Sequence, residues 1–166
     1  IIIKLLKMEQ ILFGTPVADQ LDEISKNVFQ EHTKDNNKPH LTAITVGDNS
    51  ASLLYVSRKE KKAIDLGVEF NWIKLDNNTS QEILEEVISK ESKVTDGLII
   101  QLPLPNHLNP EEAINCIPYE VDVDGLTSKN LGGLFTDSYK LIPATSLAVL
   151  ELLNFYNIKT EDKNIV

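Results

Sequence analysis

The sequence predicts an α/β fold: a three-layer domain with a mostly parallel sheet flanked by helices. Three observations point there. Segments of helical and strand periodicity alternate from Pro16 to Ile100. The last strand of that series, Gly97-Leu-Ile-Ile100, is wholly apolar and carries β-branched residues, as a strand covered on both faces requires. The strand, helix, strand, helix, strand rhythm implies parallel pairing with crossover helices.

The first helix opens near Pro16, whose missing N–H costs nothing in a first turn. Val17, Leu21, Ile24 and Val28 then recur at helical spacing up to the polar stretch Lys34 to Lys38. Leu41-Thr-Ala-Ile-Thr-Val46 follows as a strand, ended by Gly47-Asp48-Asn49. Ser50 to Leu66 reads as helix, capped by Asn49 or Ser50 and stopped by Gly67. Val68 to Leu75 alternates apolar and polar residues as a strand should. Asp76-Asn-Asn is a loop, and Thr79-Ser-Gln-Glu82 opens a helix with Ile83, Leu84, Val87 and Ile88 as its buried stripe. Asn109-Pro110 starts a short helical segment to Cys116, and Thr145 to Tyr156, with Leu147, Leu150, Leu152 and Leu153, reads as an amphipathic helix.

A chain of 166 residues with 42% hydrophobic residues can bury one sizeable core, enough for one domain or slightly more. The single cysteine, Cys116, excludes an internal disulfide framework and a cysteine-rich zinc site. That usage fits a reducing compartment, the cytoplasm, and Cys116 itself reads as a small buried residue. A net charge of −9, with no basic run beyond Arg58 to Lys62, disfavours nucleic acid and anionic membrane as partners. No apolar run approaches a membrane span. The opening Ile1-Ile-Ile-Lys-Leu-Leu-Lys7 is broken by lysines and lacks a small-residue cleavage site, so residues 1–7 read as an extension ahead of an initiator at Met8. His32, His40 and His107 lack ligand spacing, and Trp72 reads as core or half-core.

Chemistry is concentrated in three places. Tyr55 and Lys59 stand four residues apart, so one helix face can present an aromatic plane to stack and an amine to move a proton. An unperturbed lysine stays protonated near neutral pH, so a base role calls for partial burial or a nearby cation. Arg58 and Lys62 are candidates, with Arg58 pointing off the reacting face. The plainer alternative is an amphipathic helix with a solvated charged side. Gln101 ends the apolar strand ahead of Leu-Pro-Leu-Pro105, whose prolines hold it at the sheet's carboxyl edge, where ligands of parallel sheets bind. Asp122 and Asp124 precede Gly125. Without a third oxygen donor at calcium-loop spacing they suit hydrogen bonding to a ligand, or a turn cap, better than a metal.

Five segments share an order and spacing: Lys38-Pro-His-Leu41, Val46 to Ser52, Tyr55-Val-Ser-Arg-Lys59, Asp96 to Pro105, and Asp122 to Asn130. Together they resemble the catalytic half of the bifunctional methylenetetrahydrofolate dehydrogenase and methenyltetrahydrofolate cyclohydrolase family, over about Met8 to Val166. The resemblance implies tetrahydrofolate derivatives as substrates, NADP or NAD as cofactor, no metal, and a homodimer at full length. It makes Lys59 the proton-transfer residue, Tyr55 the ring packing on folate, and Gln101 the partner that orients the lysine. Asp124 becomes the carboxylate that hydrogen-bonds the pterin, while Ser52, Leu102, Pro103, Gly125 and Pro143 complete the substrate set.

The likeness also implies boundaries. Residues 8–142 form the tetrahydrofolate-binding catalytic domain and 143–160 a linker helix. Residues 161–166, with Lys163-Asn-Ile-Val166 as the start of a strand, open a truncated nucleotide-binding, Rossmann-like domain. No glycine-rich phosphate loop follows, so cofactor binding waits on that domain, with Thr145 the one candidate cofactor contact here. The Tyr-x-x-x-Lys spacing is also that of short-chain dehydrogenases, which carry an N-terminal glycine-rich loop that this chain lacks. The sequence departs from the family at Pro143-Ala-Thr145-Ser-Leu-Ala148, where relatives carry Pro-Cys-Thr-Pro, any residue, then glycine. The expected activity is interconversion of methylene-, methenyl- and formyl-tetrahydrofolate; the alternative is a silent folate-binding or assembly domain.

Overall fold

β1 (His40–Val46) is the centre of a parallel sheet ordered β2-β1-β3, with β2 at Glu69–Leu75 and β3 at Gly97–Ile100. Ile44 pairs with Ile73 on one side and Ile100 on the other. The computed structural model describes residues 11–33 and 38–164, so the expectation for residues 1–7 falls outside it.

Successive residues of a strand point to opposite faces, and both faces here are apolar. Ile44, Val46, Leu98 and Ile100 pack on Leu84 and Ile88 of α3 (Gln81–Glu91) and Ala113 of α4 (Pro110–Asn115). Ala43 and Ile99 point the other way, onto Val56 of α2 (Ser50–Asp65), with Leu41, Phe70, Trp72 and Val123 around them. The result is the expected three layers. Trp72 is half-buried and donates from Nε1 to Thr45 Oγ1 at 3.1 Å, as its polar edge requires. Leu84 lies fully buried between helix and sheet. Leu84→Ala should cost about 2–5 kcal/mol, read as a lower urea midpoint. A loss below about 1 kcal/mol would contradict this packing.

Side chains cap the helices. Asn49 Oδ1 accepts from Ser52 N at 3.0 Å, which settles the start of α2, and Gly67 follows its end at φ +84°. Ser80 caps α3 and Asn109 caps α4.

Several expectations need correction. Helix α1 spans Gly14–Thr33, but of its stripe only Val17 is buried; Leu21, Ile24 and Val28 are exposed. Periodicity records that one face is apolar, not what covers it. Helix α1 packs against α6 (Ala144–Phe155), and Tyr156 Oη joins them through Phe13 N and O at 3.2 and 3.1 Å. The helix α6 buries no residue, and Leu147, Val149 and Leu150 emerge on more than one side, so it is not amphipathic. Ile83 is 52% exposed because it lies a quarter-turn from the Leu84–Ile88 line. Lys163 and Asn164 form no strand, and residues 165–166 are outside the described set. A helix unforeseen from the sequence, α5 (Ser128–Thr136), is capped by Thr127; adjacent Gly132 and Gly133 had obscured it.

Cys116 is exposed rather than buried, since it ends a six-residue helix at the surface. Its sulfur still loses enough water to push the thiol up, and Glu85 and Glu112 push the same way. A thiol dye should therefore label Cys116 slowly at neutral pH and faster as pH rises beyond the ordinary cysteine range. Labelling at pH 7 as fast as a free thiol would contradict that environment.

Candidate active site

Helix α2 is oriented by its buried side. Val56 and Ala63 face the sheet, which turns Tyr55, Lys59, Lys62 and Leu66 along one flank. That flank walls a cavity of about 560 Å³ whose floor includes Leu41, Gly97 and Val123 and whose far side is Phe29 of α1. Tyr55 is 59% exposed, leaving its ring available for stacking. Arg58 borders this cavity too. Lys62 is committed elsewhere: it pairs with Asp22 of α1, a hydrogen bond that raises its pKa from the ordinary value.

The two aspartates do different work. The bridge from Leu98 to Asp122 lays this segment parallel to β3. Asp122 is 1% exposed, and its carboxylate accepts from Leu126 N (3.2 Å), Thr127 N (2.8 Å) and Asn130 Nδ2 (3.0 Å). It is the turn cap. Asp124, two residues further, reaches the level of β3's carboxyl end, and its Oδ2 lies 3.9 Å from Lys59 Nζ. Gly125 makes this possible. At φ +68° it packs so closely that a Cβ would stand 2.8 Å from Pro143 N and 2.9 Å from Ile142 C.

Gln101 N donates to Ile44 O at 2.9 Å, extending the ladder and fixing the residue at the sheet's carboxyl edge. Its Nε2 donates to Leu102 O at 2.9 Å, and Ser52 Oγ donates to the same oxygen at 3.3 Å. Gln101 Oε1 is buried without a partner. The amide is therefore not bonded to Lys59; it bonds its neighbour Leu102, which Ser52 ties to α2 ahead of the cis Leu102-Pro103 bond. Ser52 is itself buried, with its hydroxyl spent on this anchor.

The structure thus brings Lys59 to Asp124, Gln101 and Ser52 to Leu102, and Gly125 to Pro143. The apolar cavity borders Tyr55 and Lys59 but runs toward the amino ends of β1 and β3, past His40 and Asp96, rather than beyond the carboxyl edge. Pro143 precedes α6 and Thr145 is exposed in its first turn. The described strands lead into Gly47-Asp48-Asn49, Asp76-Asn77-Asn78 and Gln101 to Pro105. None of these loops is glycine-rich. Two residues were missed in the sequence. Val123 lines the cavity and could have been found from the Val-Asp-Val-Asp alternation; Asn130, fully buried, gave no local signal.

A helix-borne amine facing a turn-borne carboxylate, with a phenol one turn before it and an apolar cavity alongside, defines a candidate small-molecule site on a parallel-sheet α/β domain. Comparison with known proteins narrows the class. Residues 12–124 match the family model described as tetrahydrofolate dehydrogenase/cyclohydrolase, catalytic domain, and the chain belongs to that family. It is 32% identical over 161 residues to the bifunctional protein FolD of Listeria innocua, covering 96% of this chain and 57% of that protein. The mouse bifunctional methylenetetrahydrofolate dehydrogenase/cyclohydrolase 2, mitochondrial, is 39% identical over 160 residues, covering 94% and 47%. The crystal structure of FolD from Campylobacter jejuni superposes with a TM-score of 0.86 at 30% identity, covering 90% of this chain and 54% of that one. A Trypanosoma brucei relative, complexed with NADP cofactor and inhibitor, gives 0.85 at 28% identity over 93% and 54%. The chain spans about half the length of the curated relatives it matches.

Proposed function

We propose that this chain is the catalytic part of a folate one-carbon enzyme. Its reactions are hydrolysis of 5,10-methenyltetrahydrofolate to 10-formyltetrahydrofolate and, at its relatives' length, oxidation of 5,10-methylenetetrahydrofolate with NADP or NAD. The Lys59–Asp124 pair at 3.9 Å carries the reading. Both side chains are about a third exposed, and such a pair contributes only about 0–1 kcal/mol to stability. Its placement is better explained by chemistry than by folding.

In this reading the folate ring stacks on Tyr55 and its pterin hydrogen-bonds Asp124. Water adds to the methenyl carbon and one of its protons leaves to solvent; the bond from that carbon to the pterin nitrogen then breaks as Lys59 gives a proton to that nitrogen and takes one from the new hydroxyl. The orphan Gln101 Oε1 supplies an acceptor for the lysine or the substrate, because a buried acceptor without a partner is costly. No hydride step is assigned to the residues present. Residues 8–142 would form the catalytic domain, with 143–160 joining it to a nucleotide-binding domain from 161 onward. A cytoplasmic homodimer supplying one-carbon units for purine synthesis completes the proposal.

Mixing the protein with methenyltetrahydrofolate and following its near-ultraviolet absorbance tests this. Decay faster than buffer supports the enzyme; decay at the buffer rate with measurable folate binding would establish a silent binding module instead.

A further inference from the structure

We infer that Asn130 is the positioning residue of this site: one buried amide that fixes the Asp124 turn and the chain leading to Pro143 in register. The inference rests on the folate reading and deepens it. Asn130 is fully buried at the start of α5, and its amide has no spare capacity. Nδ2 donates to Tyr119 O (3.1 Å) and Asp122 Oδ2 (3.0 Å), at the beginning and middle of the loop that carries Asp124. Oδ1 accepts from Lys140 N and Leu141 N, both at 3.4 Å, in the segment running to Pro143. An amide offers two donors and two acceptor lone pairs, and all four are used.

The two segments also meet directly. Ala144 N donates to Asp124 O at 3.3 Å, and Gly125 lies against the Ile142–Pro143 backbone. Asn130 itself touches neither Lys59 nor the cavity. Its effect on chemistry passes through the Asp124 turn, which Asp122 anchors from one side and the Leu141–Pro143 chain backs from the other through Ala144 N and Gly125. A carboxylate facing an amine across 3.9 Å on a partly exposed surface cannot hold its own position by that attraction. The buried amide does so from behind.

Asn130→Asp keeps the shape but sets a carboxylate oxygen against Asp122 Oδ2 and Tyr119 O, three acceptors where a donor stood. Hydrolysis of methenyltetrahydrofolate should fall in kcat/KM by about 10–100-fold, the scale of a lost charge-assisted hydrogen bond. Combining it with Asp124→Asn separates positioning from general damage. If Asn130 acts through Asp124, the double variant loses less than about 2-fold beyond the worse single one; independent structural damage would multiply the losses. Unchanged kcat/KM in Asn130→Asp, or multiplied losses in the double variant, overturns the inference while leaving the folate reading intact. A wild-type protein that neither binds nor hydrolyses the folate removes that reading and this inference with it. If the variant does not fold, the wild-type Asn130 side-chain amide signal in a 15N–1H spectrum decides. It should shift on saturation with tetrahydrofolate, and an unmoved signal overturns the inference.

Discussion

Replacing Lys59 with Met should lower methenyltetrahydrofolate hydrolysis by about 10²–10⁴-fold, the contribution of a positioned general acid or base. Methionine keeps most of the side chain's apolar stem, so packing along the cavity wall survives. Stability should change by less than about 1 kcal/mol, because the ion pair it removes is partly exposed. Folate binding should persist, since Tyr55 and Asp124 remain. The assay is absorbance decay, paired with urea unfolding of the same preparation. Near-native turnover in a folded Lys59→Met protein would remove Lys59 from the reaction.

Gly125→Ala should damage both stability and site. A non-glycine residue at φ +68° and a Cβ 2.8 Å from Pro143 N must displace backbone on one side or the other. The strain and overpacking together should cost about 2–4 kcal/mol. Whichever side yields, Asp124 moves relative to Lys59, so folate affinity should weaken by about 10-fold or more, the scale of one charge-assisted hydrogen bond. Gly132→Ala is the contrast: it sits within α5 with nothing within 4 Å of an added Cβ. There alanine should stabilise by about 0.5–1 kcal/mol through helix propensity alone. Equal effects of the two substitutions, read by urea midpoint and folate titration, would show that the Gly125–Pro143 approach is not what holds the turn.

The sheet and its crossover helices were legible because their signals are local. Alternation in β1 and β2, the apolar run in β3, and capping residues at Asn49, Ser80 and Asn109 each act within a few residues of the element they define. Tyr55 and Lys59 were legible for the same reason, since a helix alone places them on one flank. The difference between Asp122 and Asp124 was not. Which carboxylate turned inward depended on Thr127 and Asn130, in a helix that two glycines disguised. The surfaces of α1 and α6 failed in the opposite way: their apolar residues are real, but local pattern cannot name what covers them. Gln101 was placed correctly at the edge of the sheet, while its amide went to Leu102 rather than to Lys59.

A crystal structure of this chain with a non-hydrolysable methenyltetrahydrofolate analogue would locate the substrate against these residues. The ring system should stack on Tyr55, the pterin should bond Asp124, and the one-carbon bridge should lie within hydrogen-bonding reach of Lys59 Nζ. Electron density for the analogue elsewhere, with the Lys59 amine turned to bulk solvent away from Asp124 and Gln101, would contradict it.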